Sequence, residues 1–526
     1  MYDINLNYLG VNPPLAPPPP RRGRTEDRVR RKECDSFGLT SFYVSYASKR
    51  IKEKNQLPTE KIEFAISNLD SQSMGNKNLN QQNSPENFRP RFLRFTIVNI
   101  LSDIIVPLAG LVDTTFLGHL PNIHHLAGVS LASVIFNYLY WSCLFLYVGT
   151  TGLTAQASGR GDRHQLLLVL LRNCLIALLL GVLILLLQNP LQNIGFHLLA
   201  GTPEVKALGQ KYFQGRIWDA PPTLINMVLM GWFVAQQQGN KILAMSLVVG
   251  GTNIFLDYLL IVKWGWGSFG AGIATAASQY LTLVVGIIFL PWENLRGLIP
   301  KIYQKIFQLQ ELKTIFQLKG NFFIATVISI LTYVIFINLS ASFGTLILLS
   351  NSLMFQIVSM STNILGGLAS TTQVLVGSYH GAGVNQKLLP ILKFSFLIGF
   401  SLVLPIGSMF VLFPEELFGV LTNNAEVITV VINQVFWLLP LLVCMSMAHV
   451  LDGYFNGLNK SLVVLRSRAG SLVGFLLVAF MAWQLNSSAL LWLAFLLFIA
   501  TRAIILGIKV FLNKQSAISS QLKKQL

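Results

Sequence analysis

Five aspartates of the 526-residue chain stand inside apolar stretches: Asp103, Asp113, Asp219, Asp257 and Asp452. A charge at the centre of a bilayer costs at least ~2.5–3.5 kcal/mol on insertion scales, so an acid placed there has either a partner or a task. The run LAGLVDTTFLGHL carries Asp113. NIFLDYLLI carries Asp257 four residues after Asn253, which puts those two on one helix face. Carboxylates crowded together in low dielectric cannot all stay ionised, so a pair of them can hold and release a proton. Carboxylate, amide and hydroxyl oxygens also suit Na⁺, a hard cation. The residue types admit both.

The elements that position these groups follow from composition. The chain is 53% hydrophobic and 12% charged, with mean hydropathy +0.57, whereas soluble domains carry about 25% charged residues. It reads as an all-α polytopic membrane protein. The net charge of +17 does not point to nucleic acid. Residues 1–91 hold fifteen Lys/Arg against ten Asp/Glu, and most of the remaining excess lies in short loops between apolar segments, the mark of membrane orientation. Cys34, Cys143, Cys174 and Cys444 have neither disulfide nor metal spacing. No His/Asp pairing of the kind an acyltransferase uses and no metal cluster is read in the spans, so neither an enzyme nor a cofactor is expected.

Residues 1–91 read as a disordered, basic and Pro-rich cytoplasmic tail, with PPLAPPPP followed by RRGRTEDRVRRK and a polar stretch. It has no apolar signal core, and its acids make it a poor transit peptide. Twelve apolar segments follow, near 92–118, 124–152, 166–190, 210–236, 242–262, 269–291, 320–343, 346–376, 388–413, 427–455, 461–484 and 488–511. Each reaches the ~20 residues a spanning helix needs. One alternating set of loops holds Arg160, Arg163, Lys241, the 292–319 connector, Lys387, Lys460, Arg466 and Arg468. The opposite set is nearly free of basic residues, so both termini are expected in the cytoplasm.

The chain also repeats. GRGDRHQLL begins at Gly159 and GAGVNQKLL at Gly381, while GWFVAQQQGNK begins at Gly231 and GYFNGLNK at Gly453, both at an offset of 222. With six spans per half the repeats are parallel: an N-lobe over 92–291, the cytoplasmic connector 292–319, a C-lobe over 320–512 and a C-terminal tail over 513–526. Transporters of this build carry substrate between their repeats.

At 1.5 Å per residue Asp113, Asp257 and Asp219 come to one depth, roughly 8–12 Å below the outer ends of their helices. Tyr212 and Thr275 enter the same layer. The positions 222 residues on from Asp113 and Asp257 are Ile335 and Ala479, so the acids belong to the N-lobe alone. Asp103 lies deeper. Asp452 suits capping or packing, and Arg172 suits snorkelling to the interface. WDAPP interrupts helical hydrogen bonding beside Asp219, and broken backbone at membrane depth is tolerated where it lines a cavity. Trp141, Trp218, Trp232, Phe136 and Phe355 suit an aromatic path for organic cations.

PLAGLVDTTFLGHL, NYLYWSCLFLYVGTTGLTAQASGRGD, GWFVAQQQG and NIFLDYLLI together resemble the multidrug and toxic compound extrusion (MATE) family, DinF-like branch, over about residues 92–512. The resemblance implies a twelve-helix, two-lobe antiporter that expels organic compounds against inward H⁺ or Na⁺. It implies a cation site at Asp113, Asn253 and Asp257, supported by Tyr212 and Thr275, with Na⁺ ligands at Asp113, Asn253, Asp257 and Thr275 if sodium is the ion. The chain departs from the family pattern at Val98, where relatives carry an early proline, and at Gly366 and Gln373, where they carry acids. A C-lobe poor in acids favours protons over sodium.

The expected function is therefore cation-coupled export of a small organic substrate, with Asp219, Asp103, Trp218 and Phe136 as cavity candidates. The alternative is a flippase or exporter of a lipid-linked or organic-acid substrate with the same architecture. A monomer embedded in the lipid bilayer is expected, in a bacterial plasma membrane or alternatively a plastid envelope.

Overall fold

A computed structural model describes residues 88–292, 309–422 and 424–525. Most of the expected tail and connector lies outside the described residues. Every regular element described is helical. Twelve spans follow in chain order: α1 Phe88–Gly118, α2 His124–Arg160, α3 Arg163–Leu186, α4 from Pro203 to Ala235, α5 Gly239–Lys263, α6 Gly267–Ile288, α7 Leu309–Ser342, α8 Thr345–Gly381, α9 Leu388–Leu412, α10 Val435–Gly457, α11 Ser461–Gln484 and α12 Ser488–Gln525. Eleven of them are long and apolar enough to cross a membrane. α4 is interrupted by a 3₁₀ turn at Ile217–Asp219, where WDAPP stands. α10 opens with the equivalent turn, Val435–Trp437, ahead of Pro440.

Some ends differ from expectation. α7 begins at Leu309, inside the stretch expected as connector, and α12 stays helical through the expected C-terminal tail to Gln525. The segment expected over 427–455 divides, because Asn424 caps a short helix, Ala425–Ile432, that ends before the turn at Val435.

The 222-residue repeat marks helix ends. Gly161 terminates α2 with φ +70°, and Gly383 does the same after α8 with φ +76°. Asp162 then caps α3 by accepting from the Gln165 amide at 2.9 Å. The second pair of matching motifs puts Gln237 and Asn459 in the same left-handed conformation, at φ 59° and 55°. Such residues stop a helix because a left-handed backbone cannot continue it.

The buried apolar residues gather in two separate cores. One gathers Phe136, Phe213, Phe233 and Leu146. The other gathers Phe336, Phe418, Phe475 and Trp492. Between the lobes, α2 packs on α8 without room for side chains: a Cβ on Gly159 would run into the Ser378 carbonyl, and one on Gly381 into the Gln156 carbonyl. Gln156 Nε2 donates to the Gly457 carbonyl at 2.8 Å, Gln373 Nε2 to the Val148 carbonyl at 2.7 Å, and Asn99 Nδ2 to Thr371 Oγ1 at 3.0 Å. These contacts lie in the half of the bundle nearest the basic loops.

Forcing that seam apart should expose it. In a background with the native cysteines replaced by serine, Ala155→Cys is fully buried against α8 and should react slowly with a maleimide. Adding Gly381→Val should raise its labelling rate several-fold. Gly474→Val, whose Cβ meets nothing within 4 Å, should not. Equal labelling in the two variants would show that the seam does not depend on backbone approach.

Candidate functional site

α1 and α5 approach closely because Gly250 gives way to α1: a Cβ there would stand 2.8 Å from Ile105 Cγ2. About two turns further along each helix, that approach sets Asp257 against Asp113. The two carboxyl groups face and interact with each other. Asn253 Nδ2 donates to Asp257 Oδ2 at 2.9 Å, as their spacing on one face predicts. Asp257 is fully buried. Oδ1 of Asp113 and Oδ1 of Asp257 are both buried with no protein partner. Immediately after Asp257 the helix widens into a π turn, Tyr258–Lys263, a distortion found often at functional positions.

The orphaned oxygens define the chemistry. Two ionised carboxylates cannot face each other here without a cation between them. A single shared proton satisfies both oxygens, since one acid donates and the other accepts.

The other expected members of this layer do not join the pair. The Tyr212 hydroxyl accepts from Arg216 Nη1 at 2.7 Å, and Thr275 Oγ1 donates to the Ala271 carbonyl of its own helix at 3.0 Å. Asp219 is buried but not free. Arg216 Nε lies 3.3 Å from its Oδ2, and the Tyr140 hydroxyl donates to its Oδ1. Asp219 therefore belongs to an ion pair and not to a set of open acids. Phe136 is fully buried, and the Arg216 guanidinium sits 4.6 Å from its ring centroid, a cation–π contact. Trp218 is half-exposed within the 3₁₀ turn, Trp232 is buried and donates to the Leu166 carbonyl, and Phe355 packs against the C-lobe core.

Asp103 stands where the lobes meet. It is partly exposed, and its Oδ2 is the atom nearest to where a side chain on Gly366 of α8 would begin, at 3.7 Å. Nearby, the Tyr147 hydroxyl donates to Ser370 Oγ at 3.2 Å across the lobes. Arg172 does not snorkel; only 1% of it is exposed. Arg216 and Tyr140 went unrecognised in the sequence, although Arg216 stands at i−3 from Asp219, a spacing at which helical ion pairs form.

The MatE family model matches residues 99–259 and 315–483, more than half of the chain. DNA damage-inducible protein F of Escherichia coli is 28% identical over 409 residues, 78% of this chain and 89% of that protein. A probable multidrug resistance protein NorM of Thermotoga maritima is 23% identical over 366 residues, 67% of this chain and 76% of that one. Among solved structures, a MOP superfamily transporter from Pyrococcus furiosus superposes with a TM-score of 0.72 at 20% identity, over 82% of this chain and 95% of that one.

The two N-lobe acid groups should respond oppositely to neutralisation. Asp219→Asn or Arg216→Gln leaves a buried charge uncompensated and should cost roughly 3–5 kcal/mol. Asp113→Asn removes one of two facing carboxylates and should leave stability unchanged or raised. Thermal unfolding of the purified protein in detergent measures both. Equal destabilisation would mean that Asp113 is also a structural ion-pair member.

Proposed function

The chain belongs to the MatE family of membrane transporters, and we propose that it exports small organic compounds in exchange for an inward cation, with protons favoured over sodium. The observation that supports this reading is the facing pair Asp113 and Asp257, each with one buried and unpartnered oxygen.

The pair works as a two-state device. With one proton bound, α1 and α5 are joined by an acid–carboxylate hydrogen bond. With the proton gone, two anions face each other and favour separation of the helices. α1 has a point of compliance close by: Pro107 lies inside it, between Asp103 and Asp113, and removes one backbone hydrogen bond. Movement of α1 reaches the lobe seam directly, because Asn99 and Asp103 on the same helix face α8. In this arrangement the seam is closed at the basic end, the cytoplasmic side in the proposed orientation, and Asp103 offers a carboxylate to a cationic substrate in the path between the lobes.

Sodium at Asp113, Asn253, Asp257 and Thr275 is the competing reading for the ion. Thr275 Oγ1 donates to the Ala271 carbonyl and Asn253 Nδ2 donates to Asp257 Oδ2, bonds that leave the oxygens of both side chains as acceptors.

Protein reconstituted in liposomes should show substrate counterflow driven by an imposed pH gradient in Na⁺-free buffer. Asp113→Asn and Asp257→Asn should each fall to the level of empty liposomes. Transport that requires Na⁺ and ignores the pH gradient would overturn proton coupling. Full activity in both variants would overturn the site.

A further inference from the structure

The C-lobe carries a buried charge cluster of the opposite sign. Asp452 on α10 meets two guanidinium groups, from Arg468 on α11 and Arg502 on α12. Arg468 Nη2 donates to Asp452 Oδ2 at 3.0 Å, and its Nη1 donates to the Ala325 carbonyl of α7 at 3.0 Å. Arg502 grips the same carboxylate with Nε, at 3.4 Å, and with Nη2. Asp452 and Arg502 are nearly inaccessible, with side chains 8% and 6% exposed, whereas Arg468 is 16% exposed. His449, one turn before Asp452, has Nδ1 2.9 Å from the Met445 carbonyl of its own helix.

One carboxylate against two guanidinium groups leaves one positive charge in the lobe interior, because arginine does not deprotonate in proteins. Arg468 Nε is buried and has no acceptor. Four helices therefore converge on a donor aimed at nothing, in a cluster whose charge is unbalanced. The repeat carries no counterpart: the positions 222 residues before Asp452 and Arg468 are Met230 and Ser246. An ion pair needed only to pin helices is complete with one arginine.

We propose that the Asp452–Arg468–Arg502 cluster is a binding site for a small monovalent anion, a halide or a carboxylate group, approached past the partly exposed Arg468 side chain, received by its buried Nε and held by the excess charge of the two guanidinium groups. Asp452 tunes the site by competing with the anion for both arginines. The assignment does not depend on whether the N-lobe pair carries protons or sodium.

The test is thermal unfolding of the full-length purified protein in sulfate buffer, with chloride or acetate titrated in at constant ionic strength. The wild type should show a saturable rise in unfolding temperature, retained in Asp113→Asn and lost in Arg468→Gln. Asp452→Asn frees both arginines and should lower the half-saturating anion concentration at least about tenfold. A response to chloride identifies a resident halide, and a response to acetate alone identifies the carboxylate of a transported compound. A wild type indifferent to both anions, or an Arg468→Gln variant that responds like the wild type, would overturn the site. So would an Asp452→Asn protein that is merely destabilised, or that fails to fold at any anion concentration, which would make the cluster a pin for its helices.

Discussion

A charge enclosed by apolar helices must be answered, and the three acid clusters of this bundle answer that demand in three ways. Asp219 is answered once, by Arg216, with Tyr140 completing its hydrogen bonding. Asp452 is answered twice over, by Arg468 and Arg502. Asp113 and Asp257 face each other, with Asn253 donating to Asp257 and the Arg216 charge acting on Asp113. Two facing acids in low dielectric favour a shared proton or a bound cation. Low dielectric sets the cost in every case. Neighbouring residues decide whether the result is a strut, a receptor or a switch.

The architecture makes that switch consequential. Gly250 lets α5 lie against α1, so the spacing of the carboxylates is also the spacing of two helices. α1 in turn lies against α8, with Asn99 bonded to Thr371. A change at the pair therefore has a short mechanical route to the place where the lobes meet, without any need for a distant signal. The interrupted spans α4 and α10 add breaks at matching places in each lobe, where Pro221 and Pro440 follow the 3₁₀ turns.

Much of this was legible in the sequence, for reasons that can be named. Periodicity is not needed to find spans when apolar runs exceed ~20 residues, and the i, i+4 spacing of Asn253 and Asp257 dictates their hydrogen bond. The 222-residue motifs were visible because left-handed helix ends restrict residue choice, as Gly161 and Gly383 show. Shared depth was legible, but azimuth was not. Asp219, Tyr212 and Thr275 lie in the right layer, yet Arg216 turns the first two away from the pair, and only packing around Phe136 reveals that. Arg172 failed for a similar reason: snorkelling is a matter of which face a helix shows to lipid, and α3 turns that face inward.

The glycine seam between α2 and α8 has a property that follows from its numbering. Gly159 opposes Ser378, and Gly381 opposes Gln156; in each case one residue is the repeat equivalent of the other's partner. The contact is isologous, the kind that two identical subunits make across a two-fold axis. This single chain is thus held together like a homodimer whose halves have been fused. Its symmetry axis preserved the joint, while the ionic interiors on either side diverged, one toward unpaired acid and the other toward surplus base.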